Sequence, residues 1–394
     1  MNSIKNKLLA ILLAVTLLPT LLIGGYTFFS TTESLKESSV SAHKSKMALV
    51  SEQINGYLGN VSSDVFYLRD FPALHLYLSA LASDSSTSER LLLTNLRSSF
   101  AKFAAQKKIY SQVRFIGISG KEIVRVNHKG DKTKIVSETK LKTKKTRGYV
   151  NEALKLKDGK LLVTKLDLNR ELGKIETPYN PTIRFSTPVF DKKKKLQGIV
   201  VLNVKAQKII DIISSQATEG EQLVFIDNGG YYYYHPDEKN AWSSIQELNK
   251  KANLFKESPK LKDKISRATD VQNLETSNDI VTFVPIKIAD ESFSLGSVVN
   301  ISPKNIIFKA VNNFLYVFLG VALLALLLTV ALARFLSNSI SKPLLTLTEN
   351  VEKLSMGDLE TPISIESNDE IGALAKAVEL LRKSMQILMK RASS

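Results

Sequence analysis

Four arginines punctuate the middle of the chain, Arg114, Arg125, Arg147 and Arg184, and beside them in sequence or register stand Asn127, Tyr149 and Asn203. This set is suited to capturing a molecule, not to breaking a bond. A guanidinium offers a planar fork of donors that fits a carboxylate or phosphate bidentately, and amides and a phenol add orienting hydrogen bonds in a concave site. The expected ligand is therefore small and anionic or zwitterionic. The competing role for each arginine is an ion pair with Asp167, Glu171 or Asp191 that holds a loop in place. Other chemistry finds little support. The chain has no cysteine, hence no thiolate nucleophile, thiolate metal site or disulfide. His43, His75, His128 and His235 show no metal-ligand spacing. No catalytic residue, metal or cofactor is expected.

Strands must carry these groups. Residues 112–119 and 122–128 flank Gly120 and read as a hairpin, and residues 182–190 and 198–204 flank Asp191 and the run Lys192 to Lys195 as another. Helical patterning precedes them at 88–106 and separates them at 149–157, with a further strand expected over 160–167. The order recurs in shorter form: helix 206–215, strand 222–227, the turn Asn228-Gly229-Gly230, strand 231–234, and strands 280–286 and 292–300. The four consecutive tyrosines need no special chemistry, because in a strand Tyr231 and Tyr233 face one way and Tyr232 and Tyr234 the other. Two tandem α+β modules result. Upstream, Met47, Val50, Ile54, Tyr57 and Val61 form a helical stripe that ends at Phe71-Pro72. It serves either a dimeric stalk or packing on the subunit's own sheet.

The runs VRFIGISGKEIVRVN (113–127), LDLNRELGKIETPYNPTIRFSTPVFD (166–191), GIVVLNV (198–204) and GGYYYYHPD (229–237) resemble the double Cache family of bacterial extracytoplasmic sensors, which carry two PAS-like modules between membrane helices. The resemblance implies a small-molecule pocket in the membrane-distal module. The Arg-x-Trp-Tyr word of amino-acid-binding relatives falls on Thr146-Arg147-Gly148-Tyr149, an early strand acid on Asp167, and a final-strand carboxylate near Asn203. Tyr149 and Asp167 match. The tryptophan is a glycine here, the arginine is displaced by one residue and the last acid is an amide.

Residues 8–29 are 22 residues without a charge, behind Lys5 and Lys7, and residues 313–333 form a second uncharged run closed by Arg334. Each is long enough to cross a hydrocarbon core of about 30 Å. A cleaved signal peptide is the rival for the first, whose apolar run exceeds a signal's usual core. Lysines at the short tail and Arg334 with Lys342 beyond the second run predict both termini inside and residues 30–304 outside. The net charge of +16 then belongs mainly to the outer part: between Lys121 and Arg147 ten basic residues face three acidic ones. Nucleic acid is not an expected partner; anionic headgroups or an anionic ligand are.

Past Arg334, Ile340, Leu344, Leu347, Val351 and Leu354 form one heptad seam, and Ile371, Leu374, Val378, Leu381, Met385 and Leu388 another. Two short seams argue for a dimeric four-helix coiled coil. With Pro343 in the first helix, GDLETPI supplying Gly357, Leu359 and Ile363, and DEIGAL supplying Glu370, Ile371 and Leu374, this stretch resembles a HAMP domain. The resemblance assigns signal transmission to these residues and to Leu381.

The expected architecture is an α+β membrane protein: tail 1–7, transmembrane helix 8–29, a double Cache sensor over 30–304 (distal module 88–205, proximal module 206–303), transmembrane helix 313–333, a HAMP coiled coil over 334–390 and a tail 391–394. Because only Lys390 to Ser394 follow the second seam, the expected function is a non-enzymatic homodimeric receptor that signals to a separate cytoplasmic protein. The rivals are a truncated sensor kinase, diguanylate cyclase or chemoreceptor, and an envelope-binding structural protein that engages its target through Lys192 to Lys195.

Overall fold

Helix α1 (Ile4–Gly59) opens the chain as 56 continuous helical residues. The computed structural model describes residues 4–82, 86–171, 173–288, 293–365 and 367–392. Outside these fall parts of both tails, residue 292 of an expected strand and the side chain of Glu171. Residues 37–307 make one compact unit, and the segments flanking them make another.

In the first unit the stripe on α1 is consumed by the subunit's own core. Met47, Val50, Ile54 and Val61 are fully buried in one cluster with sheet residues, and the Tyr57 hydroxyl donates to the Lys205 carbonyl at 2.7 Å. Burial pushes that phenol up to about 12. Packing on the sheet, not a dimeric stalk, therefore accounts for the stripe. After α2 (Val61–Arg69) the chain breaks at Phe71 and restarts as α3 (Pro72–Ala82), where proline suits a first helical turn. Helix α4 (Ser86–Lys107) follows and leads into the sheet.

The first sheet comprises β1 (Tyr110–Gly117), β2 (Glu122–Lys129) and β3 (Lys132–Ile135), then, after α5 (Gly148–Leu154), β4 (Leu162–Val163) and β5 (Asp167–Leu168). A small hairpin, β6 (Arg170–Glu171) with β7 (Lys174–Ile175), precedes β8 (Pro181–Phe190) and β9 (Leu196–Lys205). The order is β3-β2-β1-β9-β8-β4, with β5 also on β8. Period-two alternation sends Val113, Phe115, Val124, Val126, Leu202 and Phe185 into the helix-covered core. The expected strand 160–167 is interrupted, because the Thr164 hydroxyl takes the Arg184 N–H at 3.0 Å in place of a ladder carbonyl.

Helix α6 (Gln207–Ser214) leads to the second sheet: β10 (Gln222–Ile226), β11 (Tyr232–Tyr234), helices α7 (Leu254–Glu257) and α8 (Pro259–Arg267), then β12 (Gln272–Glu275), β13 (Asp279–Ile288) and β14 (Phe293–Pro303), in the order β11-β10-β14-β13-β12. Tyr232 and Tyr233 enter different clusters, as the alternation requires.

Helix α1 is tied to this second sheet by a buried polar network. His43 Nε2 lies 2.7 Å from Glu221 Oε1, Lys46 Nζ donates to Glu221 Oε2 at 2.7 Å, and Asn300 on β14 donates to the same oxygen at 3.3 Å. Burial raises the Glu221 pKa, but the His43 and Lys46 contacts outweigh it and hold the carboxyl at about 2, from an ordinary 4.5. A carboxyl depressed on folding stabilises fully above its unfolded value, and that contribution is lost as pH falls from about 4.5 toward 2. Glu221→Gln should therefore lower the unfolding midpoint at pH 6, and the gap from wild type should close by pH 2. A gap that is flat with pH would refute the linkage.

In the second unit, α9 (Lys304–Ile307) having closed the first, α10 (Lys309–Leu336) pairs with the opening half of α1, where Thr329 Oγ1 donates to Thr16 Oγ1 at 3.3 Å. Both helices carry 18-residue stretches long and apolar enough to cross a membrane, with mean hydropathy 2.4 and 2.7, and their apolar side chains are mostly exposed. Ser337–Ser341 then widen into a π turn before α11 (Lys342–Ser355). Pro343 explains the widening: it has no N–H for the helical ladder, and its ring excludes the carbonyl four residues back. The chain ends its described course in α12 (Glu370–Ala392).

Candidate ligand cleft and signalling helices

Antiparallel register lines up one polar row across four strands of the first sheet. Asn127 of β2 faces Gln112 of β1, which faces Asn203 of β9, which faces Arg184 of β8. The next row contributes Arg125 opposite Arg114. Farther along the same face the row becomes apolar, and Ile116, Ile199 and Val201 pack on Val150 and Ala153 of α5. That packing sets Tyr149 at the polar boundary.

The result is a cleft of about 1220 Å³ that brings together all eight residues singled out from sequence: Arg114, Arg125, Asn127, Arg147, Tyr149, Asp167, Arg184 and Asn203. Sequence reasoning missed Gln112, Lys144, Asn169 and Arg170, which also line it. Gln112 was within reach, two residues before Arg114 and so on the same strand face. The other three sit on loops or a short hairpin, where no periodicity announces them.

Arg114 is the hub. It is 3% exposed, donates through Nη1 to the Tyr149 hydroxyl at 2.9 Å and through Nη2 to Asn203 Oδ1 at 2.6 Å. Asn203 Nδ2 in turn donates to Gln112 Oε1 at 3.2 Å. Behind the hub lies Glu122, 1% exposed, with Arg114, Arg125 and Lys144 at 3.7, 3.9 and 3.8 Å. Of the loop-holding partners expected for the arginines, Asp191 instead takes the backbone N–H groups of Lys193 and Lys195, and Asp167 pairs with Arg170 at 2.7 Å.

Two cations lie close to the Tyr149 ring, with the Arg184 and Arg114 guanidinium carbons 5.3 and 5.7 Å from its centre. Burial raises its pKa, but Arg114 and Arg184 outweigh that and the net shift is downward, so the phenol is a stronger donor. Burial lowers the pKa of Arg184; its guanidinium donates to Asn169 Oδ1 at 3.5 Å. Among the described residues the cleft lining holds nine lysines and arginines and one carboxylate, Asp167. Such a surface attracts and orients anions.

On the signalling side, Pro343 stands in the first turn of α11. Gly357 ends that helix at φ +98°, a conformation that favours glycine. The connector then packs Leu359 and Ile363 with Leu347, Leu354, Ala375 and Val378. It is clamped by α12: Glu379 accepts the Ile363 N–H at 2.9 Å, and Arg382 pairs with Glu379 and donates to the Leu359 carbonyl. Asp369 caps α12 by accepting the N–H groups of Ile371 and Gly372. At Gly372 a Cβ would lie 1.9 Å from the Ser367 carbonyl oxygen, so the connector's approach requires glycine. Glu370 opens α12 and Ile371 is half-buried, whereas Leu374 and Leu381 are 49% and 56% exposed. The line that α12 turns toward its own chain runs instead through Ala375, Val378 and Arg382.

Residues 76–294 match the family described as bacterial histidine kinase, sensor domain, and residues 335–386 match the HAMP domain. The sensor protein kinase WalK of Staphylococcus aureus is 30% identical over 103 residues, which is 26% of this chain and 17% of the kinase. The chain thus spans only about a sixth of the length of the curated relatives it matches. Among solved structures, the extracellular domain of the histidine kinase vpHK1S-Z8 aligns with a TM-score of 0.56 at 19% identity, covering 72% of this chain and 99% of that domain. A domain of a sensory box/GGDEF family protein from Vibrio parahaemolyticus aligns at 0.54 and 20%, covering 69% and 97%. At these identities the two structures share the fold. Matched over more than half its length, and with membrane-length helices on either side of the matched sensor, this chain belongs to the bacterial histidine kinase sensor-domain family and couples that domain to a HAMP domain.

Proposed function

We propose that the chain is a homodimeric transmembrane receptor subunit whose outer cleft binds a small anionic solute, and whose HAMP helices pass the resulting change to a separate cytoplasmic signalling protein. The observation that carries this reading is the cleft itself, where one sheet face gathers a surplus of cations around Tyr149 and Asn203. Lys5 and Lys7 before the first apolar helix and Arg334 with Lys342 after the second support an orientation with the tail and HAMP in the cytoplasm and the sensor outside. Binding would bias α10, and the π turn at Ser337–Ser341 offers a place where α11 can change its rotation relative to that helix. Neither the sensor fold nor HAMP is a catalytic domain, so the regions described transmit and do not catalyse.

The test is a thermal-shift screen of the full chain in zwitterionic-lipid nanodiscs against small organic and inorganic solutes. Some of them should raise the sensor's melting temperature, and Arg184→Gln should remove the shift. A blank screen, or a shift indifferent to Arg184→Gln, would sink the assignment of the cleft. A second reading, that these residues are the input part of a sensor kinase on one polypeptide, is favoured by the similarity to WalK. The mass of the protein recovered from its own cells with an antibody to the HAMP segment separates the two.

A further inference from the structure

We propose that one end of the first sheet is a docking surface for a linear polyanion, a partner distinct from the small solute of the cleft. Three turns meet at this end. The β8–β9 turn carries the run Lys192 to Lys195, and Gly198 just after it pairs with Gly117, so the β1–β2 turn with Lys121 is its neighbour. Lys145 is folded onto that second turn: a Cβ at Gly120 would lie 2.9 Å from its Cα. On the other flank the Thr187 hydroxyl of β8 donates to the Lys160 carbonyl at 2.9 Å, which brings in the loop that holds Lys157 and Lys160. All eight lysines are exposed. Both carboxylates on these turns have other partners: Asp191 accepts the N–H groups of Lys193 and Lys195 and the Gln197 amide, and Asp158 lies 3.6 Å from Arg69. The eight ammonium groups make no ion pair among the described residues.

Folding alone does not call for this chemistry. Lys194 sits at φ +58°, a left-handed conformation that glycine or asparagine adopts at lower cost. The eight are lysines and none is an arginine: point charges on flexible stems, which adapt to a row of charges where a guanidinium would fork onto one group. From β2 to β4 the turns span four strand steps, about 19 Å. That is too wide for one small anion and matches an extended chain with a charge at every repeat. A lipid surface fits the position less well. The chain enters and leaves the sensor at the second sheet, where His43 of α1 approaches Ser302 of β14 at 3.4 Å. The lysine turns lie at the opposite end of the first sheet, ten residues of β9 beyond the point where Lys205 meets Tyr57 of α1. Strands of that length run about 30 Å, several Debye lengths at physiological salt.

Titrating the full chain in zwitterionic-lipid nanodiscs into end-labelled linear polyphosphate, followed by fluorescence anisotropy, tests this. A variant with Lys192→Gln, Lys193→Gln, Lys194→Gln and Lys195→Gln should bind at least about tenfold more weakly, since each lysine near an anionic surface contributes about fivefold. Its slope of log affinity against log salt should be shallower by about three. Changing Lys121, Lys145, Lys157 and Lys160 to glutamine should have an effect of the same order. Changing Lys251, Lys260, Lys262 and Lys264, which removes the same charge from exposed positions on and near α8, should cost less than about threefold, because distant exposed charges are screened. Arg184→Gln should leave polyphosphate binding unchanged, since none of the eight lysines lines the cleft. Equal losses in the turn variants and the α8 control would reduce the surface to net charge and overturn the inference. So would a wild-type chain that binds no polyphosphate, or binding that orthophosphate displaces at equal phosphate concentration. A loss confined to Arg184→Gln would assign the polymer to the cleft, and binding to phosphatidylglycerol vesicles but not to polyphosphate would make the partner a membrane; either result overturns it. The thermal shifts of the cleft stand or fall separately.

Discussion

Arg114→Ala should cost the sensor about 3–5 kcal/mol, the loss typical of removing one partner from a buried ion pair. The substitution leaves Glu122, 1% exposed, with Arg125 and Lys144 at 3.9 and 3.8 Å but without its most buried counter-charge. It also strips Asn203 Oδ1 of its donor, and an unsatisfied buried polar atom adds its own desolvation penalty. Urea unfolding of the full chain, followed by the fluorescence of Trp242, the chain's one tryptophan, reports the loss directly. That residue is buried in the cluster that also holds Val113 and Phe115 on either side of Arg114. Changing Arg114 and Glu122 together to leucine should recover most of the lost stability, because an apolar pair avoids the desolvation that an ion pair must repay. A loss below about 1 kcal/mol in the single variant, within the range of an exposed pair, would show that the hub is wetter than its geometry implies. The prediction also separates roles. Arg114 organises the cleft floor, whereas Arg184, which makes no ion pair among the described residues, is the position at which binding can be tested without disturbing a buried carboxylate.

How much of this was legible beforehand depends on what kind of element carries each residue. Arg114, Arg125, Asn127, Arg184 and Asn203 sit on strands, where alternation with buried aliphatics announces which face they share, and all five meet. Register, however, is set by pairing across the sheet. The sequence did not say that Asn127, Gln112, Asn203 and Arg184 form one line, or that Glu122 lies behind it. The strand β3, Lys-Thr-Lys-Ile, escaped because its charged residues look like a loop; on a sheet edge such charges discourage pairing with other chains. The interruption at Thr164 depends on one side-chain hydroxyl replacing a carbonyl, a choice that propensity does not encode. In the HAMP segment both seams were visible, but helical period alone left undecided which apolar line meets the chain's own connector. The clamp of Glu379 and Arg382 on the connector settles it by drawing Ala375, Val378 and Arg382 inward.

That rotation underlies the second large effect. Leu374→Ala combined with Leu381→Ala should abolish signalling to the proposed cytoplasmic partner and change the affinity of the proposed cleft ligand by less than about twofold, as for sites with no shared contacts. Leu374 and Leu381 are seven residues apart on α12 and about half exposed in the single chain, which is what a heptad seam awaiting a second copy looks like. Truncating a leucine that is buried on assembly costs about 2–5 kcal/mol. In the proposed homodimer each truncation is repeated, so the double variant would remove four such side chains from one bundle. Because the native chain has no cysteine, the geometry can be read independently. Leu381→Cys in native membranes should form a disulfide between copies, and Lys376→Cys, on the polar face, should not. The alanine changes should lower the yield from a cysteine placed at Leu388 on the same line. Equal cross-linking at 376 and 381 would refute the seam. Lost ligand affinity in the alanine variant would refute the separation between an outer unit that recognises and an inner unit that transmits.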